Sequence, residues 1–125
     1  MLYLSILGRA LLALLFILAG IAKILGPAPF LAHMDQFHVP GFLLWPVIAL
    51  ELGAGGALLL GWRLFWSAGA LAVFCIMAAF IFHLNFALPP ERTLFFKDLA
   101  IAGGLIAIAA GAWMAKRTEV DRGAA

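Results

Sequence analysis

Charge is scarce in this chain. Of its 125 residues only 11% are Asp, Glu, Lys or Arg, against the roughly 25% of an ordinary soluble domain. Hydrophobic residues make up 66%, and the mean hydropathy is +1.14. A soluble domain of this size exposes most of its residues to water, because its surface is large relative to its interior. Eight basic and six acidic side chains cannot clothe such a surface. The shortage excludes an ordinary soluble enzyme domain and a disordered chain. A net charge of +2 is too small for a basic patch, which excludes a nucleic-acid-binding module. Cysteine is nearly missing too. Cys75 stands alone, so an intramolecular disulfide and any Cys-rich metal or iron–sulfur site are excluded. What remains is an integral membrane protein of one unit, with the lipid bilayer as its first partner.

Long apolar runs are what the chain does have. A spanning helix needs about 20 mostly apolar residues, since each adds 1.5 Å and the hydrocarbon core is about 30 Å thick. Four runs qualify: about 4–25, 42–61, 64–88 and 94–115. The first is punctuated by Gly26-Pro27-Ala28-Pro29, the third by Pro89-Pro90, both read as helix stops. No run alternates polar and apolar residues as a barrel strand would. Arg9 ahead of an apolar stretch has the outline of a signal peptide, but no clear cleavage site follows. The expected fold is all-α, a membrane-embedded antiparallel four-helix bundle over residues 1–115. Residues 26–41 form an outward-facing interfacial loop, and 116–125 a cytoplasmic tail. With four spans both termini share one side, which holds Arg9, Arg63, Lys116, Arg117 and Arg122. The other side holds Lys23, Arg92 and Lys97. The excess places both termini in the cytoplasm. Trp45, Trp62, Trp66 and Trp113 fall near the span ends, where indole rings prefer to sit.

Lipid provides little hydrophobic drive between helices, so small residues mark close contact. The second run carries Ala49, Gly53, Ala57 and Gly61 at every fourth position, and the fourth carries Gly103, Gly104, Ala107 and Gly111. These ridges are expected to pack inside the bundle.

Ionisable residues inside spans are costly, by about 2.5–3.5 kcal/mol on insertion scales, and mark function by default. Glu51 lies nine residues into the second run. It must be protonated, hydrated or paired, and the candidate partners are Lys97 and Lys23. Such a pair either fixes helix order or lines a polar pocket for a small molecule or a proton. Arg9, Ala13, Phe16, Gly20 and Lys23 share one helix face, so the two cations either snorkel or face the bundle. His83 closes the third run with Asn85, and Lys97 and Asp98 open the fourth. A lone His83 reads first as a hydrogen-bonded interfacial residue, and Cys75 as a small core hydrophobe. No metal or nucleotide motif is present.

Taken in order, Leu7-Gly8-Arg9, Phe16 to Lys23, Val39-Pro40-Gly41, Glu51 to Gly56 with Gly61 and Arg63, Phe80 to Phe86, and Phe95 to Gly104 resemble the DoxX family. These are small four-helix bacterial inner-membrane proteins named for subunits of quinol oxidase and thiosulfate–quinone oxidoreductase complexes. The resemblance covers about 4–115. One departure is Asp98, where family members often carry asparagine. The resemblance implies a redox-associated subunit in the bacterial inner membrane, binding a quinone or similar small molecule in its outer half. No intrinsic cofactor is expected, and any enzymatic role would be as a subunit of a quinone-linked complex. An oxidoreductase subunit or a second copy are the expected protein partners. The site candidates are Glu51, Lys97, His83, Asp98, Lys23 and Arg9. The alternative is a non-enzymatic assembly or anchoring protein whose buried charges are structural.

Overall fold

The computed structural model describes residues 1–124. They form helices α1 (Leu2–Leu25), α2 (Pro27–Gln36), α3 (Leu44–Leu60, entered through a 3-10 turn at Gly41–Leu43), α4 (Leu64–Phe82) and α5 (Pro89–Ala124). Four segments, α1, α3 with its entry turn, α4 and α5, are long and apolar enough to cross a membrane. No strand occurs among the described residues. Large apolar side chains such as Leu11, Leu18, Leu60, Val73 and Ile106 lie exposed along the helices, as lipid-facing residues do.

The bundle is built from two antiparallel pairs. α1 packs along α3 and α4 along α5, the pairs joining where α3 meets α4. The interior is small and aliphatic: Ala13 and Phe16 of α1, Leu58 of α3, Ala68, Leu71, Ala72 and Cys75 of α4, and Ala102, Leu105 and Ala109 of α5. Alanine at such positions lets backbones approach closely, which is how helices gain packing energy in lipid. α3 and α4 are joined by a tight turn. Trp62 N–H donates to Ala57 O and Gly61 N–H to Leu58 O, a Schellman closure with Gly61 left-handed at φ +76°.

Helix boundaries differ from the proline-based expectation. α4 ends at Phe82 rather than near Leu88, and Pro89-Pro90 opens α5 instead of only closing its predecessor. A proline in the first helical turn loses nothing, because its missing N–H would have no intrahelical partner there. The residue before it, Leu88, is kept out of the helix by the ring. At the other end α5 runs on through the polar tail to Ala124. Its 36 residues would extend about 54 Å, well beyond a ~30 Å hydrocarbon layer. The 26–41 connection likewise contains a helix. Pro27 sits in the first turn of α2, and Met34 buries against Leu44 and Ile48 of α3.

The small ridges do not pack as expected. Gly53, Gly103 and Gly111 face open space, and the inward face of α3 is Leu44, Ile48, Glu51, Gly55 and Leu58. The close approaches are at Gly55, where an added Cβ would meet Phe16 and Ile17 at 3.3 and 3.2 Å, and at Gly20, where it would meet Leu52 at 2.8 Å. The α1 face carrying Ala13, Phe16 and Gly20 is buried.

Two glycine substitutions should therefore behave oppositely. At Gly61 a side chain would be strained by the left-handed backbone and would press on Arg9 Nη1, 2.7 Å from the Cβ position. Gly61→Val is expected to lose about 1–2 kcal/mol or more, seen as a lowered thermal midpoint in detergent. Gly53→Ala, into open space, is expected to be neutral or to stabilise by up to about 1 kcal/mol.

Candidate functional site

Lys23 and Glu51 meet across the α1–α3 seam. Nζ lies 2.8 Å from Oε1, and the side chains are only 15% and 3% exposed. At this separation the opposite charges attract strongly, the more so because both heads are largely out of water. Three local features fit a cation at this point. The carboxylate supplies the countercharge. Lys23 is in the last turn of α1, where the helix dipole favours positive charge. The Phe30 ring of α2 lies 4.9 Å from Nζ, within cation–π range. Glycine at 20 lets α3 come this close, since a Cβ there would meet the Leu52 side chain at 2.8 Å.

Lys23 also lines a cavity of about 460 Å³ between α1–α2 and α3–α4. Its walls are mostly aliphatic and aromatic: Phe30 and Met34 of α2, Val47 and Leu50 of α3, and Phe74, Met77 and Ile81 of α4. Polar atoms come from Lys23, His33 and His83. His33 stacks on Phe82 with centroids 5.0 Å apart, and Phe37 stands edge-on to both rings at 5.2 Å. This three-ring cluster ties α2 to the end of α4. His83 is held from the opposite side. Its Nδ1 lies 2.8 Å from Glu91 Oε2 and its Nε2 lies 3.6 Å from Asp98 Oδ2. An apolar cavity of this size with a few convergent polar groups is the usual form of a small-molecule site.

A family model described as DoxX matches residues 4–84, more than half of the chain. The chain belongs to the DoxX family. The inner membrane protein YqjF of Escherichia coli (strain K12) is 42% identical over 102 residues, covering 82% of this chain and 78% of that protein. No solved structure matches. Four apolar helices and this relative make the chain a multi-pass inner-membrane protein of the DoxX family. The matched segment contains Lys23, Glu51 and His83 and stops before Glu91 and Asp98.

Of the candidates in this DoxX chain, Lys23 with Glu51 and His83 with Asp98 are brought together as two groups at the end carrying α2. Lys97, expected as a partner of Glu51, is not one. It is exposed and makes no ion pair among the described residues. Arg9 lies elsewhere, at the end carrying the termini, with its guanidinium against Gly61 and so beside the C-terminus of α3. There the negative end of the helix dipole suits a cation. Glu91, Phe30 and His33 were missed by the sequence reading. The signal for Glu91 was its spacing from Asp98: seven residues, two helical turns, one face.

The Lys23–Glu51 pair predicts asymmetric losses. Lys23→Met strands a buried carboxylate and should cost about 3–5 kcal/mol. Glu51→Gln leaves a lysine near a helix end that can turn its head toward water, so its cost should be smaller, about 1–2 kcal/mol. The Lys23→Met/Glu51→Leu double variant should recover most of the loss, because an apolar replacement of a buried pair is often neutral. Thermal unfolding of the four proteins in one detergent checks the order. Equal losses for both single variants would contradict it.

Proposed function

We propose that this DoxX-family protein binds a quinone-sized, uncharged amphipathic molecule in the cavity beside Lys23, as a subunit associated with a membrane oxidoreductase. The observation that carries this reading is the cavity itself: about 460 Å³, apolar along α3 and α4, with Lys23, His33 and His83 as its polar groups. A quinone ring would lie between aliphatic walls and the Phe30 face. A carbonyl oxygen of the ring would accept a hydrogen bond from Lys23 or from an imidazole N–H. Lys23 already has Glu51 as its countercharge, so the site has no net need of an anion. Glu51, behind Lys23, would hold or pass a proton as a bound quinone takes up two electrons and two protons to become the neutral quinol, or the reverse. His83, between Glu91 and Asp98, would do the same at the mouth. Electrons would come from or go to the partner subunit. The excess of Arg and Lys at the end carrying the termini supports termini in the cytoplasm, which puts the cavity in the outer half of the bilayer.

A second reading rests on the depth of the pair. Glu51 is 3% exposed and faces α1, not the cavity. A buried pair of this kind can serve only to fix helix register and order, in which case the protein is an assembly or anchoring factor.

The two readings separate with a cavity-filling variant. Ala78 lines the cavity and takes no part in the ion pairs. Ala78→Trp should weaken binding of a short-chain benzoquinone at least tenfold, measured by titration calorimetry in detergent, while the thermal midpoint of the ligand-free protein changes little. Glu51→Gln should lower that midpoint. Binding unchanged in Ala78→Trp, together with lost stability in Glu51→Gln, would favour the structural role and overturn the binding site.

A further inference from the structure

A second cavity, of about 330 Å³, lies at the opposite end of the bundle, between the first turn of α4 and the last apolar turns of α5. Its chemistry is different. Arg63 and Lys116 line it together with Phe65, Trp66 and Trp113. Phe65 packs against both indoles, with centroids 5.1 and 5.2 Å away. Neither cation makes an ion pair with a carboxylate among the described residues, although Glu119 and Asp121 follow Lys116 within five residues. The two basic groups, Arg63 just ahead of α4 and Lys116 in α5, are about fifty residues apart in sequence, and the α4–α5 packing brings them to one opening. Arg63 is held there against conformational preference. Its backbone is left-handed, at φ +47°, a region where glycine or asparagine is favoured over a long side chain.

We propose that this cavity is a binding site for the phosphate of an anionic phospholipid. Arg63 and Lys116 would pair with the phosphodiester oxygens. Arginine suits that geometry through its planar fork and lysine through its point charge. The indoles of Trp66 and Trp113 would sit at the head-group level, as amphipathic rings do at a membrane interface. Below them the exposed apolar side chains of α4 and α5, such as Val73 and Ile106, continue as a surface for the acyl chains. A free phosphate ion offers the same oxygens but makes no use of the aromatic wall or of that surface, which is why the lipid is the assigned source. Basic pockets between spanning helices are a recurrent form of head-group site.

The test uses the full-length protein in a neutral detergent. Dioleoyl phosphatidylglycerol, dioleoyl phosphatidylcholine and inorganic phosphate are each added, and lipid adducts are counted by native mass spectrometry alongside the thermal midpoint. Phosphatidylglycerol is expected to give one retained adduct and to raise the midpoint, with phosphatidylcholine and phosphate doing neither. The double variant Arg63→Gly/Lys116→Gln should retain at least tenfold less of the adduct. Glycine suits the left-handed turn, so this variant removes the cation while keeping the fold. The matched variant Arg117→Gln/Arg122→Gln, with the same loss of charge outside the cavity, should bind like the parent. Equal retention by the two double variants would overturn the site. Phosphate stabilising the protein as well as phosphatidylglycerol would overturn the lipid assignment.

Discussion

A carboxylate on the inward face of a spanning helix cannot remain ionised without a nearby positive charge, and this constraint organises one half of the molecule. Glu51 is 3% exposed on the inward face of α3, and Lys23 of α1 is the cation paired with it. Bringing Nζ to 2.8 Å requires α1 and α3 to lie close, and glycines at 20 and 55 are where the helices approach. It also requires Lys23 to turn inward rather than toward the head groups. Phe30 helps to keep it there, and Phe30 reaches Lys23 only because the chain after Gly26 folds back as α2 instead of trailing along the surface. The cavity follows from the same arrangement. α2 supplies one wall through Phe30, His33 and Met34, and α3 and α4 supply the others.

α1 thus carries a cation at each end of one face, and each is matched to a helix C-terminus. Lys23 sits in the last turn of α1 itself, and Arg9 lies against the C-terminal Gly61 of α3. The antiparallel packing of α1 on α3 makes this possible, because it sets the end of one helix beside the start of the other. The negative helix ends are then met by side chains rather than left facing lipid. The left-handed Gly61 does two things at once. It closes the α3–α4 turn, and it leaves room that a Cβ would take from the Arg9 guanidinium.

The number of spans, the all-α class and the buried face of α1 were legible in the sequence, because twenty-residue apolar runs and the spacing of Arg9, Ala13, Phe16, Gly20 and Lys23 follow from helix geometry alone. The partner of Glu51 was narrowed to two lysines but not chosen. Depth along a span can be counted from residue number, whereas rotation about the axis must be read from a face. The inward positions of α5 are Phe95, Asp98, Ala102, Leu105 and Ala109, a seven-residue repeat that turns Asp98 in and its neighbour Lys97 out. The small ridge on α3 misled for a related reason. In lipid both the packed and the exposed faces of a helix are apolar, so composition does not separate them, and glycine at 53 is compatible with either. Pro89-Pro90 was ambiguous because proline ends one helix and begins another by the same two properties, a fixed φ and no N–H. His33 escaped because its role depends on how α2 folds back, which no periodicity describes, and Glu91 because α5 begins at Pro89, so that only a helix started there puts Glu91 on the face of Asp98.

The two cavities differ in how their charges are balanced, and that difference carries the choice of ligand. Among the cavity-lining side chains at the end carrying α2, Lys23 is paired with Glu51, and His83 lies against Glu91 and Asp98. A charged ligand entering there would displace one of these pairings and leave a buried group alone, at a cost of several kcal/mol. An uncharged molecule with hydrogen-bonding oxygens would not. At the other end Arg63 and Lys116 line one opening with no carboxylate paired to either among the described residues, Arg63 lying over the Trp62 ring instead, so an anion entering there would break no ion pair. The uncharged ligand proposed for the first end and the anionic head group proposed for the second would both follow from one rule, that a site in or beside hydrocarbon selects what leaves no charge uncompensated.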